Sequence, residues 1–436
     1  MNNSILEAMQ FAHIFDKNPI NETGDTAYTI TYQFAKNSKP GDLPSNTNFT
    51  GWTAFTGAEK TAIRQQLNYI ETILNVDFVQ VTGDSDPDLN IGKVDTPSGT
   101  AGFGGNSISF FGNDITNWDG FAVFDNTLDM SAAAQVNLIL HELAHALGLK
   151  HPFDGGATLP AAEENNKYTV MSYTVNPDNG VDSTELMLYD VFALQDIWGA
   201  ADNNTGNTTY NGPANSTVDL IWDTGGVDTL SAVGITNDVD IDLRPEKFST
   251  FGTYEDVVIA SKTWIENAVG GAGNDTITGN KLANLIEGKG GDDTVVGGAG
   301  KDSIYGGLGN DTLSGQKGND KIWGDDGGDD LFGNNGRDTL RGGKGRDEVD
   351  GGNGNDILIG GGGKDTFVFA AGGGDDVVRD FKDDFDTLKF VGLGTQAQVL
   401  AAAADVGSDV VFTFAGGHTL TVENTTVAEV TDDIQV

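Results

Sequence analysis

At 436 residues the chain is long enough for two or three domains with sizeable cores. Its 65 acidic against 24 basic residues leave a net charge of -41, a surface that repels nucleic acid and anionic membrane but attracts divalent cations. No apolar span is long enough to cross a bilayer, Cys is absent, and Met1 to Ile20 lacks the basic-then-apolar order of a Sec signal.

In chain order, residues 1 to about 26 are weakly patterned and read as a short helix or a residual propeptide. Tyr28 to Ala35 alternates apolar and polar side chains, the period of a half-buried strand. Thr56-Gly57-Ala58-Glu59 is a capping box, and Ile63, Leu67, Ile70 and Leu74 give the helix behind it a buried stripe. Asp77 to Val81, Leu89 to Val94 and Gly120 to Asp125 read as short strands, with a Gly-rich turn region from Gly99 to Gly105. A further helix is expected from Glu185 to Trp198, stopped by Gly199. A mixed sheet with two long helices packed on it fits this spacing.

The most specific chemistry lies in the helix between these elements. It starts near Ser131, a candidate N-cap, and its last part reads His141-Glu142-Leu143-Ala144-His145-Ala146-Leu147-Gly148-Leu149-Lys150-His151. Val136, Leu140, Leu143 and Leu147 form a stripe facing the core, while His141 and His145, one turn apart, share another face. Two imidazoles so placed can hold one Zn²⁺, and Gly148 allows a left-handed turn that swings His151 round as a third ligand. Glu142 sits between them, outside the ligand set, where it can deprotonate the attacking water. Only 5 His occur in the chain and 3 fall in this stretch, so a chance cluster is the weaker reading.

From about residue 201 the texture changes to Asn, Gly, Thr and Asp, with β-rich pieces at Asp219 to Trp222 and Val239 to Leu243. This places a boundary near residues 200 to 206, giving expected domains 1–203 and 204–436. At Gly270 a nine-residue period begins and runs for eleven units, to Val368. The eighth position is apolar in every unit, from Ile277 to Phe367. The sixth is Asp275, Asp293, Asp302, Asp311, Asp320, Asp329, Asp338, Asp347, Asp356 and Asp365; the degenerate second unit, Gly279 to Glu287, has Asn284 there. Each unit is a Gly-rich turn followed by a very short strand, too small to fold alone. Stacking two units per turn lines up the eighth-position residues as a thin core. Carboxylates and freed backbone carbonyls then supply the hard oxygens that suit several Ca²⁺ ions. An acidic linker need not keep an apolar residue at every ninth place. Beyond the repeats, Asp365 to Phe390, Val410 to Phe414 and Thr419 to Val422 read as strands.

The pattern from His141 to His151 resembles the HExxHxxGxxH signature of metzincins, and Tyr168-Thr169-Val170-Met171-Ser172-Tyr173 is similar to the Met-turn that accompanies it. The nonapeptide is similar to the calcium-binding repeat of RTX proteins. With Pro152 directly after His151, and Trp264-Ile265-Glu266-Asn267-Ala268 leading into the first repeat, most of the chain resembles the serralysin family of secreted bacterial metalloproteases. The resemblance implies an α+β metzincin catalytic domain followed by an all-β parallel β-roll with a β-sandwich-like C-terminal part. It implies one zinc held by His141, His145, His151 and, in the resting enzyme, Tyr173, with Met171 packed beneath. For calcium it implies a pre-roll site with Asn204, Gly206 and Thr208 on one arm and Asp223, Gly225, Gly226 and Asp228 on the other. The next site would draw on Glu266, Gly271, Gly273 and Asp275. The family usually has Arg where Asn204 stands, and the segment from His151 to Met171 is short for it, which suggests a different rim to the cleft.

The expected reaction is peptide-bond hydrolysis of broad specificity, with Glu142 as base, Tyr173 as oxyanion donor, and substrate lying as an added strand near Gly99 to Gly105. Expected partners are protein or peptide substrates, a type I secretion apparatus reading a C-terminal signal, and a proteinaceous inhibitor. The product would be a secreted, extracellular monomer without an N-terminal signal peptide, a membrane span or a nucleic-acid partner. The competing reading is a calcium-dependent adhesion or ligand-binding protein on a protease-like scaffold, which would have no need of Glu142 between two ligands. His13 and His418 lie far from any motif and read as structural or surface residues.

Overall fold

The computed structural model describes residues 3–15, 17–41, 43, 49–83, 86–212 and 218–436. They divide into two compact units. The first runs to Thr205 and takes back short stretches ending at Gly225 and at Thr263; the second holds Gly206–Gly212, Gly226–Val257 and Trp264–Val436. Among the described residues no helix is long and apolar enough to cross a membrane.

The first unit is built on a six-stranded mixed sheet. Its main order is Val76–Gln80, Tyr28–Phe34, Leu89–Asp95, Asp114–Asp125, Gly102–Phe111, with Thr50–Thr53 also paired to Leu89–Asp95. The pairings are parallel as far as Asp114–Asp125; the edge strand Gly102–Phe111 then runs antiparallel to it. The expected Gly-rich turn region is therefore mostly strand. Its glycines serve close approach, as the site below shows, and that use leaves no trace in local turn chemistry.

The helix Gly57–Glu71 starts at the expected capping box, with Glu59 N–H donating to Thr56 Oγ1 at 3.2 Å and Thr56 N–H to Glu59 Oε2 at 2.7 Å. Ile63, Leu67 and Ile70 are buried along it, and buried Leu74 follows just past its end. Glu59 does more than cap: its Oε1 takes the Lys93 Nζ ion pair at 2.6 Å, and both side chains are buried. Lys93 also donates to Leu128 O at 2.7 Å, so one buried pair ties this helix, the central strand and the approach to the histidine helix.

The histidine helix spans Val136–Ala146, after a short 3₁₀ turn at Ala133–Gln135. Ser131 is not its cap, because the Ser131 hydroxyl donates instead to Asp129 Oδ1 at 2.6 Å. Leu140, Leu143 and Leu147 are buried as expected, but Val136 is half-exposed and Ile139 takes its place in the core. The next helix, Leu188–Trp198, begins later than its pattern suggests and ends at Gly199, φ 72°. The N-terminal segment forms the helix Asn3–Met9 and docks on this unit: Lys150 N–H donates to Met9 O at 2.8 Å, and Gln10 Nε2 donates to Ala193 O at 3.0 Å.

In the second unit the repeats fall alternately into two sheets of parallel strands. Each strand pairs with the one two units on, so that Ile286 meets Ile304, Ile304 meets Ile322, and Val295 meets Leu313. All eleven eighth-position residues, Ile277 through Phe367, have no exposed surface. The same sheets continue past the repeats through Thr366–Ala370, Thr387–Val391 and Ile434–Gln435 on one side. On the other side they continue through Asp375–Val378, Thr419–Val422 and Asp409–Thr413.

Replacing Glu59 by Ala strands the Lys93 ammonium in the interior and removes the cap. A loss of roughly 3–5 kcal/mol of stability is expected, read as a lowered thermal midpoint in zinc- and calcium-loaded protein.

Candidate metal centre

Gly148, at φ +122°, ends the histidine helix with the left-handed turn expected of it, and a Cβ there would lie 2.8 Å from Ile197 Cδ1. The chain then turns back so that His151 faces His141 and His145. The His151 Nε2 atom lies 3.2 Å from His141 Nε2 and 3.1 Å from His145 Nε2. His141 Nδ1 lies 2.7 Å from Val170 O, His145 Nδ1 2.8 Å from Leu149 O, and His151 Nδ1 3.0 Å from Asp154 Oδ2. Those acceptors fix the proton on each Nδ1 and leave each Nε2 presenting a lone pair. Burial lowers the His141 pKa to about 4 and that of His145 to about 3, so both rings stay neutral at physiological pH. Among the described residues this trio is the one group of His, Cys, Asp or Glu whose ligand atoms gather within 4.8 Å. Neutral imidazoles converging in this way fit a zinc ion.

Glu142 is buried beside them and one carboxylate oxygen, Oε2, has no hydrogen-bond partner. Burial raises its pKa to about 8, opposed by the Gly104 N–H that donates to it. The edge strand passes over this point at a distance only glycine allows: a Cβ on Gly104 would lie 2.2 Å from Glu142 O, and one on Gly102 would lie 2.7 Å from Glu142 Oε1. Tyr173 is 70% exposed and its hydroxyl lies 2.7 Å from His151 Nε2. Phe153 stacks on His151, ring centroids 5.0 Å apart, and closes an aromatic wall with Tyr173. Met171 is fully buried in the turn before Tyr173.

Several supporting residues carry no sequence signal. Asp190 is fully buried, and burial raises its pKa to about 7. It accepts from Thr169 Oγ1 at 2.6 Å, Val170 N–H at 2.8 Å and Met187 N–H at 2.9 Å, so it fixes the very carbonyl that orients His141. His13, taken from sequence as remote, lies 3.0 Å from Asn106 Oδ1, and Asn106 Nδ2 donates to His145 O at 2.9 Å. These partners come from distant parts of the chain, and nothing local marks them.

In the repeats, each sixth-position Asp stands on the one 18 residues away: Asp293 Oδ1 accepts the Asp275 N–H at 2.7 Å, and Asp311 Oδ1 the Asp293 N–H at 2.8 Å. The second oxygen, Oδ2, is buried without a partner in Asp293, Asp302, Asp311, Asp320, Asp329, Asp338, Asp347, Asp356 and Asp365. A row of orphaned carboxylate oxygens fits a row of hard cations. Burial pushes these carboxyls up, to about 7 for Asp293, Asp329 and Asp356 and about 6 for Asp302, Asp311, Asp338 and Asp347. Asp275 differs, since its oxygens accept from Gly271 N–H at 2.6 Å and Val239 N–H at 2.9 Å. Glu266 Oε2 accepts from Asp228 N–H at 2.9 Å. Gly273 lies where a Cβ would reach 2.5 Å from the Asn237 carbonyl carbon.

In the degenerate unit an amide, Asn284, stands where the other units have a carboxylate, and a second amide, Asn280, lies beside it. Asn284 Nδ2 donates to Glu266 O at 2.8 Å, and Asn280 Nδ2 donates to Ile265 O at 2.8 Å and Leu243 O at 3.2 Å. Of the pre-roll residues, Asn204, Asp223 and Gly225 belong to the first unit and Gly206, Thr208, Gly226 and Asp228 to the second. Within the first, Asp223 Oδ1 accepts from Gly225 N–H at 2.9 Å, and Asn204 has φ 49°. Within the second, Asp228 Oδ1 accepts from Thr208 N–H at 2.7 Å, and a Cβ on Gly226 would reach 2.6 Å from Gly206 O.

Comparison with known proteins agrees with these features. Residues 195–347 match the family model described as Peptidase M10 serralysin C terminal, and residues 332–367 match the RTX calcium-binding nonapeptide repeat. The chain is 32% identical over 309 residues to a serralysin of Photorhabdus laumondii, covering 60% of each protein. It is 31% identical to a serralysin of Proteus mirabilis, covering 53% of this chain and 56% of that one. Among solved structures, an extracellular lipase of Serratia marcescens aligns at TM-score 0.22 and 23% identity over 40% of this chain and 41% of its own, too distant to carry an argument. The second unit thus carries RTX calcium-binding nonapeptide repeats. More particularly, the chain is similar to serralysins, and zinc and calcium are the cofactors that this likeness supports. The chain spans about 60% of the length of the serralysins of Photorhabdus laumondii and Photorhabdus luminescens.

Exchanging Asp190 for Ala releases the Val170 N–H, loosening the residue whose carbonyl orients His141, and should weaken zinc binding roughly 10- to 100-fold, measured by competition with a chelator. The raised Asp carboxyls give the calcium-free roll a definite pH dependence. Above an unfolded pKa near 4 the unfolded chain holds fewer protons than the folded one, so stability is greatest in acid and is lost as pH rises through about 6 to 7. In chelator, β circular dichroism should therefore grow as pH is lowered from about 8 to 5, and calcium should restore it at the higher pH.

Proposed function

We propose that this chain is a secreted zinc endopeptidase of broad specificity whose RTX unit is stabilised by calcium. The observation that carries the reading is the unpartnered, buried Glu142 carboxylate oxygen beside three converging imidazole Nε2 atoms. A structural cluster would satisfy that oxygen, whereas a general base must keep a lone pair for its proton.

His141, His145 and His151 would hold the zinc, with Tyr173 as a further ligand at rest. When bound, the ion lowers the pKa of water to around 7 and polarises the scissile carbonyl. Glu142 takes the proton of the attacking water and returns it to the leaving amine. Tyr173, largely exposed, would swing toward the carbonyl oxygen and donate to the developing oxyanion. The substrate backbone adds as a further strand to the edge Gly102–Phe111, a mode that reads main chain and so tolerates many sequences.

Residues 1–203 would carry the catalysis and residues 204–436 the calcium-dependent roll and a type I secretion signal. At low free Ca²⁺ the repeat carboxylates repel one another and the roll stays unfolded; at millimolar Ca²⁺ it folds by mass action, which couples folding to export. Substrates would be proteins and peptides, and a proteinaceous inhibitor would be a natural counterpart.

Casein cleavage in calcium is the direct test. Glu142→Ala should keep its zinc but lose roughly 10²- to 10⁴-fold in rate, and a zinc chelator should silence the wild type. Undiminished cleavage by the variant would remove Glu142 from the reaction.

A further inference from the structure

A cavity of about 560 Å³ opens directly beside Glu142, walled by Asn137, Leu138, Ser172, Tyr173 and Asp182 together with the start of the edge strand. No Lys or Arg lines it. Asp182 is exposed at its rim and, among the described residues, makes no hydrogen bond or ion pair. This carboxylate is uncommitted.

Its position is nonetheless fixed. Asn166 Oδ1 accepts from Ser183 N–H at 3.2 Å and from Asn137 Nδ2 at 2.8 Å, and Asn137 Nδ2 also donates to Ser183 O at 2.8 Å. The residue after Asp182 is therefore clamped to the helix one turn before His141. Asn166 Nδ2 donates to Ser172 O at 2.8 Å, which anchors the other end of the same loop. Between these ends, the buried Lys167 ammonium pairs with Asp178 at 2.6 Å. A loop pinned in this way holds the backbone of Asp182 at the rim of the cavity.

We propose that this cavity receives a Lys or Arg side chain of the substrate, with Asp182 recognising the cation; the proposal rests on the endopeptidase reading above. The alkyl stem of a long cationic side chain packs on Leu138 while its head reaches the rim carboxylate, the division of labour such side chains favour. The net charge of -41 draws cationic peptides to the protein, and Asp182 converts that general attraction into selection at one position. The backbone is still read along the edge strand, so cleavage stays broad elsewhere in the peptide.

The test is a cleavage profile on a random peptide library, read by mass spectrometry, for zinc- and calcium-loaded wild type, Asp182→Asn and Asp182→Lys. Wild type should show Lys and Arg enriched at one fixed position flanking the cleaved bond. The Lys-to-Leu rate ratio at that position should fall roughly fivefold in Asp182→Asn, the size expected of a partly screened ion pair. Asp182→Lys should invert the preference toward Asp and Glu. Cleavage without cationic enrichment, or enrichment unchanged in both variants, overturns the assignment of the pocket alone. A zinc-loaded wild type that cleaves nothing overturns the endopeptidase reading and the pocket with it.

Discussion

Three imidazole lone pairs aimed at one point repel one another unless a cation lies among them, and much of the first unit exists to hold them there. Each ring is oriented from behind, by Val170 O, Leu149 O or Asp154. Each of those acceptors is itself held. Buried Asp190 fixes the Val170 turn, the left-handed Gly148 delivers Leu149 and His151, and the packing around Gly148 leaves no room for another residue. A site of this kind does not fold around a metal by accident of composition. Two of its three rings are set by backbone carbonyls, which cannot move without moving the helix or the turn that carries them.

The roll obeys the same logic with charges reversed. Its ladder is complete in backbone hydrogen bonds and in apolar core, yet it leaves one buried carboxylate oxygen per unit unsatisfied. In acid a proton answers that demand; at neutral pH only a cation does. The degenerate unit is the exception that explains the rule, because Asn280 and Asn284 donate amide hydrogens to backbone carbonyls, so that stretch is closed by the protein's own atoms. Calcium dependence is thus a property of particular turns, not of the acidic composition as a whole.

In the proposed endopeptidase, chemistry and selection would occupy different parts of the cleft. Glu142, His141 and His145 sit buried on one helix and half-buried His151 on the turn after it, so the reacting groups do not depend on what enters. In that proposal the edge strand would read backbone alone. What remains to distinguish substrates is the loop between Tyr173 and Ser183, which places Asp182, and the aromatic wall of Phe153 and Tyr173. Both lie in loops, where preference can be altered without disturbing the groups on the helix.

Sequence alone determined whatever is set by local spacing. The helical separation of His141 and His145, the glycine needed to bring His151 round, the capping box at Thr56 and the nine-residue period all follow from one or two turns of chain. Register by 18 residues follows from that period as well, because only stacking in pairs buries every eighth-position side chain on one line. What only the tertiary structure decided is whatever joins distant segments. Asp190 under the Val170 carbonyl, Asn106 between His13 and His145, and Lys93 against Glu59 are ordinary residues in sequence, significant because the fold brings them together. The Gly99 to Gly105 stretch shows the reason most plainly. Local chemistry reads its glycines as turns, but Gly102 and Gly104 are needed for an extended strand to pass within contact of Glu142, and closeness between segments is not written in either segment.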